Sequence, residues 1–217
     1  MIIAVIKSGV VIETPDTPSV ITPFLEQKDD SEYNWKEKYK QATVDLSSLS
    51  QELHLVDDNK LVAIIVQILE VESPIHQDFL KTIITQQLGI GRTSALVNKK
   101  FLKVFNLGAK RGDWLLKDKF LWRINQELEK ARDRSRLSEK LRRIDWVAPE
   151  EIQLTIKTIV SEARTIDKVE LMRLTLHTLN GGTRLTETAK AVLDKELNEW
   201  ALAQVVNVYD KMVKINQ

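Results

Sequence analysis

Residues 89–122 read GIGRTSALVNKKFLKVFNLGAKRGDWLLKDKFLW, and this stretch decides the fold. Gly89-Ile90-Gly91 is a turn, and Thr93 or Ser94 offers the hydroxyl that caps a following helix. Val97, Phe101, Val104 and Phe105 then recur at helical spacing, which predicts a helix over 93–108. Beyond it, Trp114-Leu115-Leu116 and Phe120-Leu121-Trp122 flank Lys117-Asp118-Lys119, the pattern of a hairpin over 114–122. Working upstream, Phe79, Leu80, Ile83, Ile84 and Leu88 predict a helix over 76–88. Ser73-Pro74 separates it from a strongly apolar helix over 60–72 that Asp57-Asp58 caps. Three helices closed by a two-stranded wing make a winged helix.

The pattern then restarts. Helices are expected over Pro149–Ala163, Lys168–Leu179 and from Thr186 to about Trp200. A break falls at Thr165, a turn at Asn180-Gly181-Gly182, and a last hairpin around Val205–Val208 and Met212-Val213. An offset of 91 aligns Leu80 with Leu171 and Leu88 with Leu179. One residue inserted in the glycine turn makes the offset 92, which aligns Arg92 with Arg184, Ser94 with Thr186, Phe101 with Leu193 and Phe120 with Met212. Leu171, Leu179, Leu193 and Met212 are therefore expected to be buried. The fold class is mainly α (α+β), with tandem winged-helix-like units at 31–125 and 148–217. Residues 1–30 carry strand patterns such as Met1–Ile6, broken up by three prolines. Tyr33, Trp35, Tyr39 and Ala42, then Leu46, Leu49 and Leu53, suggest leading helices in the first unit. Residues 126–147 read as a basic linker helix.

Composition narrows the function. With no cysteine the chain has no disulfide and no thiolate ligand or nucleophile, which fits a cytoplasmic setting. The apolar start stops at Lys7, too early for a signal-peptide core or a membrane span. His54, His76 and His177 fall on different elements without ligand spacing, and His177 reads as a core-edge residue. No Ser/His/Asp arrangement or acidic cluster stands out. Neither catalysis nor a metal, cofactor, small-molecule substrate or membrane partner is expected.

Charge gives the positive indication. The net charge of +1 hides an excess of 16 basic over 6 acidic residues in 92–143, which suggests an anionic partner. At 100° per residue Arg92, Lys99, Lys103 and Lys110 share one face of the third helix, Asn106 beside them and the apolar face opposite. A recognition helix needs that division, and Lys117 and Lys119 would extend it onto the wing. The run of Lys130, Arg132, Arg134 and Arg136, continued by Lys140, Arg142 and Arg143, could grip a phosphate backbone, or else form salt bridges with Glu127, Glu129 and Glu139. The matching helix of the second unit mixes three basic and four acidic residues between 184 and 203, which suits packing or protein docking. The expected function is a non-catalytic nucleic-acid-binding module, with duplex DNA as the ligand. The alternative is a docking module for a helicase, a nuclease or a second copy. One basic surface running from the third helix to 132–143 favours the first reading, and scattered charge the second.

Three stretches also carry a resemblance: Ile68–His76, reading ILEVESPIH; Gly91-Arg92-Thr93; and Lys119-Phe120-Leu121-Trp122. Trp146–Glu151 and Gly182-Thr183-Arg184 continue it. Together they resemble the uncharacterised C-terminal domain of large bacterial superfamily-one helicase-like proteins, over residues 39–215. The resemblance implies attachment to an enzyme that translocates on DNA or RNA. The chain contains no helicase motif, so that activity does not carry over, and a fragment or a stand-alone relative is expected.

Overall fold

Among the described residues every α-helix except the one at Pro149–Ala163, which opens on a proline, begins where a side chain accepts amide hydrogens that no helical carbonyl reaches. In the computed structural model, which describes residues 35–47, 49, 52–209 and 211–216, Asp57 accepts from the amides of Asn59 and Lys60 and opens α1 (Asp58–Glu72). The strand β2 (Ile75–His76) leads into α2 (Gln77–Gln87), capped by His76 Nδ1 accepting from Asp78 N at 3.1 Å. Ser94 Oγ accepts from Val97 N and starts α3 (Ala95–Arg111), which Gly112 ends in the left-handed region at φ +80. The wing is β3 (Leu115–Lys117) and β4 (Phe120–Trp122), and β2 pairs with β4 to give the order β2-β4-β3. Leu61, Ile65, Leu80, Ile84, Phe101, Trp114 and Leu121 fill the core between them.

The second unit repeats this element by element. It consists of α4 (Pro149–Ala163), β6 (Ile166–Asp167), α5 (Lys168–Asn180), α6 (Glu187–Leu202) and the wing β7 (Val206–Tyr209) and β8 (Met212–Ile215), with sheet order β6-β8-β7. The correspondence reaches individual bonds. Gln77 N donates to Lys119 O, and Lys168 N to Lys211 O. Ile75 and His76 face Leu121 and Phe120, as Ile166 and Asp167 face Val213 and Met212. Thr186 caps α6 as Ser94 caps α3, each hydroxyl accepting at 3.2 Å from the amide three residues on. Leu171, Leu179 and Leu193 are fully buried, as the repeat predicts.

Four expectations need correction. Met212 is 40% exposed and Val213 buried, because β8 alternates and it is Val213 that faces the core. His177 is exposed on α5 rather than at the edge of the core. The described residues after 34 form no leading helix. The strand β1 (Lys36–Lys38) and a 3-10 turn at Leu53–Leu55 are the regular elements there. Tyr39, Ala42, Leu46, Leu49 and Leu53 do reach the first core, but as an irregular strap whose polar groups bond elsewhere. Ala42 N donates to Glu72 Oε1 at 2.8 Å, and Tyr39 N to Asp133 O at 2.9 Å. Nor is 126–147 a helix. It holds β5 (Ala131–Asp133), parallel to β1, and 3-10 turns at Glu139–Leu141 and Ile144–Trp146. The strands expected within 1–30 lie outside the described residues. Among the described residues no helix is long and apolar enough to cross a membrane.

One glycine is fixed by packing. A Cβ on Gly108 would lie 2.1 Å from Trp114 Cζ2, and Trp114 is fully buried, its Nε1 donating to Phe105 O at 3.1 Å. Alanine is the better helix former by about 1 kcal/mol. Forcing the indole aside nevertheless costs more, so Gly108→Ala should lose about 1–3 kcal/mol in a urea titration. Unchanged stability would show that the Trp114 ring shifts freely.

Candidate nucleic-acid interface

The third helix divides as its sequence dictates. Val97, Phe101, Val104 and Phe105 are buried, at most 5% exposed, whereas Lys99, Lys103, Asn106 and Lys110 are exposed. Arg92, expected on the same helical face, is exposed in the bend before α3, because the helix starts only after the Ser94 cap. Not all of that charge is uncommitted. Asp58, at the start of α1, pairs with Lys100 Nζ at 2.5 Å and Lys103 Nζ at 2.6 Å. Hydrogen bonds from these two lysines, followed by their charge, hold its carboxyl below the usual range. Lys100 is also tied to the carbonyl of Val56, but Lys103 stays 68% exposed in its pair. No ion pair among the described residues engages Arg92, Lys99 or Lys110.

On the wing Lys119 is exposed. Lys117 lies 4.5 Å from the centre of the Trp122 ring and 3.6 Å from Glu150 Oε1 at the start of α4. The wing also packs between the units, where Phe120 and Trp122 bury against Ala148. The first unit's wing is thus held by the second unit.

Residues 132–143 part company with the helix. Arg132 is 5% exposed and cannot reach a phosphate backbone. Its guanidinium donates to the carbonyls of Glu72, Ser73 and Pro74 and to Glu151 Oε2 at 2.8 Å. Arg134 joins it there, meeting both Glu151 oxygens at 2.7 and 2.8 Å. Burial alone would raise the Glu151 pKa. The Arg132 and Arg134 charges and their hydrogen bonds outweigh that and hold it at about 2. Arg142 is half-buried against the end of α5, while Arg143 is locked to Asp145 and lies over Trp146. Arg136 is exposed. The sequence-derived residues therefore divide. Lys99, Lys103 and Lys110 line α3, Arg92 lies in the bend before it, and Lys117 and Lys119 line the wing. Arg136, Arg142 and Arg143 belong to the inter-unit segment, and Arg132 is internal.

Tyr39, Glu72 and Glu151 were not among the candidate site residues read from the sequence, and Arg134, read as part of the phosphate-gripping run, is instead buried on Glu151. A trace of this network is legible in the sequence. Glu72 continues the stripe Leu61, Ile65, Ile68, and Glu151 precedes Thr155 and Ile159 at intervals of four, so both carboxylates sit on buried faces. In α6 the counterpart of Lys103 is Lys195, which pairs at 3.5 Å with both Glu196 and Glu199. The two third helices therefore present different surfaces.

The family model described as "Protein of unknown function (DUF3320)" matches residues 51–99, which include α1, β2, α2 and the start of α3. No curated protein and no solved structure matches.

Proposed function

We propose that the first winged unit binds nucleic acid, with duplex DNA as the ligand, through α3 and its wing, and that the second unit braces it without chemistry of its own. The observation that carries this reading is the α3 surface, where Lys99, Lys103 and Lys110 are exposed on a helix without an acidic residue, opposite a buried apolar face, with Arg92 exposed in the bend that leads into it. A groove-bound helix requires that combination, and phosphate contacts require mobile cations beside it. The criterion of one continuous basic surface from the third helix to 132–143 is not met, since Arg132 and Arg134 lie inside and Arg143 is engaged by Asp145, so the reading rests on α3 and the wing alone. On the resemblance to the C-terminal domain of helicase-like proteins, the module works as a cytoplasmic accessory of a helicase-type, defence or repair system.

Lysine acetylation of the full chain with and without duplex DNA tests the footprint. DNA should protect Lys99, Lys103 and Lys110 and leave Lys190 and Lys195 unprotected; uniform protection, or none, contradicts it. Lys195→Glu should leave duplex affinity within about twofold of the parent, because Glu196 and Glu199 already repel phosphate there. A tenfold loss in an anisotropy titration would make the second unit a contact surface instead.

A second reading has its own support. Leu96 and Leu102, 59% and 55% exposed, flank the basic face of α3, and the 132–143 arginines do not extend it. Both features suit docking onto a protein, a helicase or nuclease subunit or a second copy of this chain. Crosslinking of Leu96 and Leu102 positions to protein rather than to DNA would favour that reading.

A further inference from the structure

We propose that a second anion site, specific for a phosphate group, lies in the cleft between residues 139–145 and the turn joining α5 to α6. It goes beyond the α3 reading and does not depend on it. The cleft encloses about 660 Å³, and Arg142, Arg143 and Arg184 line it together with Thr183 and Thr188. Asp145 is committed to Arg143 through contacts of 3.0 and 2.6 Å, which leaves Glu139 as the opposing carboxylate.

The wall is built rather than incidental. Asn180 Nδ2 donates to Arg142 O at 2.9 Å, and its Oδ1 accepts from Gly182 N at 2.9 Å. Arg142 Nη1 donates in turn to the carbonyls of Ser135 and Asn180, at 3.3 and 3.4 Å. Gly181 takes φ +69, and a Cβ there would come 2.8 Å from Ser135 Cβ, so only glycine lets the turn close on this segment. Gly182 is equally tight against Asn180 Oδ1, at 2.8 Å. The Arg142 guanidinium is thereby fixed across from the exposed Arg184.

Guanidinium forks from two segments, with threonines lining the same cleft, suit an anion bearing several oxygens in a tetrahedral array. The start of α6 adds the positive end of its peptide dipoles. Such a phosphate could be borne by a mononucleotide or by a nucleic-acid backbone.

The test is a ¹⁵N–¹H NMR titration of the full chain with inorganic phosphate, adenosine monophosphate and a short DNA duplex. It compares the parent with Arg184→Ala and Glu139→Gln. Saturable shifts are expected at Gly181, Gly182 and Thr183. Arg184→Ala should weaken binding about tenfold or more, as loss of a charge-assisted hydrogen bond does, and Glu139→Gln should tighten it. A loss seen with the monophosphate alone identifies a small ligand, and a loss seen with the duplex identifies the backbone. If no probe gives saturable shifts at the turn, or if Arg184→Ala binds every probe as the parent does, the site does not exist. Because Lys99 and Lys110 stay intact in both variants, failure here leaves the α3 interface standing, and failure at α3 leaves this cleft testable with phosphate.

Discussion

Glu151→Gln should destabilise the protein by about 3–5 kcal/mol, the usual loss when one partner of a buried ion pair is removed. Glu151 has no solvent exposure, and its two oxygens satisfy Arg132 and Arg134, which are 5% and 2% exposed. Glutamine keeps the shape but removes the carboxylate that both buried guanidinium groups bond, leaving them backbone carbonyls and the charges of Glu72 and Glu37. Glu72 is a poor substitute. Burial raises its pKa despite the opposing bonds from Ala42 N and Tyr39 OH and the charge of the two arginines. The damage would reach both units, since this cluster joins α1, β5 and α4 and holds the strap at Tyr39 and Ala42. Urea unfolding followed by circular dichroism measures the loss. Glu150→Gln, at a half-exposed pair with Lys117, is the control and should change stability by no more than about 1 kcal/mol. Equal stability of the two variants would remove the cluster from its structural role. The pH dependence has a definite sign. A carboxyl held at about 2 when folded and near 4.5 when free contributes stability that is complete above about 4.5 and lost as pH falls towards 2. Glu72 acts the other way. Its ionised form is disfavoured in the fold, so its protonation on acidification offsets part of that loss.

Lys99→Glu with Lys110→Glu should reduce duplex affinity at least a hundredfold near physiological salt. Two phosphate contacts become two repulsions on the surface that carries the proposed function. Lys110 rather than Lys103 is paired with Lys99 because Lys103 shares Asp58 with Lys100, and reversing it would disturb the start of α1. Both chosen side chains are exposed, so stability should move by less than about 0.5 kcal/mol each. Anisotropy with labelled duplex reads the affinity and thermal unfolding the stability. Parent-like binding by the double variant would assign the α3 lysines to solvation and favour the docking reading.

Most of the fold was legible because both units write it locally. Helical spacing of apolar residues, capping by Asp57, Ser94 and Thr186, and glycine turns agree with one another, and the repeat checks each reading against a second copy. What escaped was decided by distant partners. The spacing of Leu46, Leu49 and Leu53 imitates a helix, but Glu72 and Asp133 supply the strap's hydrogen bonds from elsewhere in the chain. The arginine-rich segment reads as a polar helix until Glu151 is placed beneath it; then Arg132 and Arg134 alternate inward as a strand requires, and Asp133 turns outward. For the same reason α3 was legible as a two-faced helix, whereas the fate of each cation was not. The pairing of Lys103 with Asp58 depends on how α3 packs on α1, and that of Lys117 with Glu150 on how the wing packs on α4.

Duplex affinity of the full chain measured across a range of salt concentrations tests the proposed interface most directly. Binding through Arg92, Lys99, Lys103, Lys110 and Lys119 should give a linear fall of log affinity with log salt, each phosphate contact adding about 0.9 to the slope, roughly 3 to 5 in all. The Lys99→Glu/Lys110→Glu protein should give a slope smaller by about 2. A parent that shows no saturable duplex binding near physiological salt, or whose affinity is indifferent to salt, contradicts the interface.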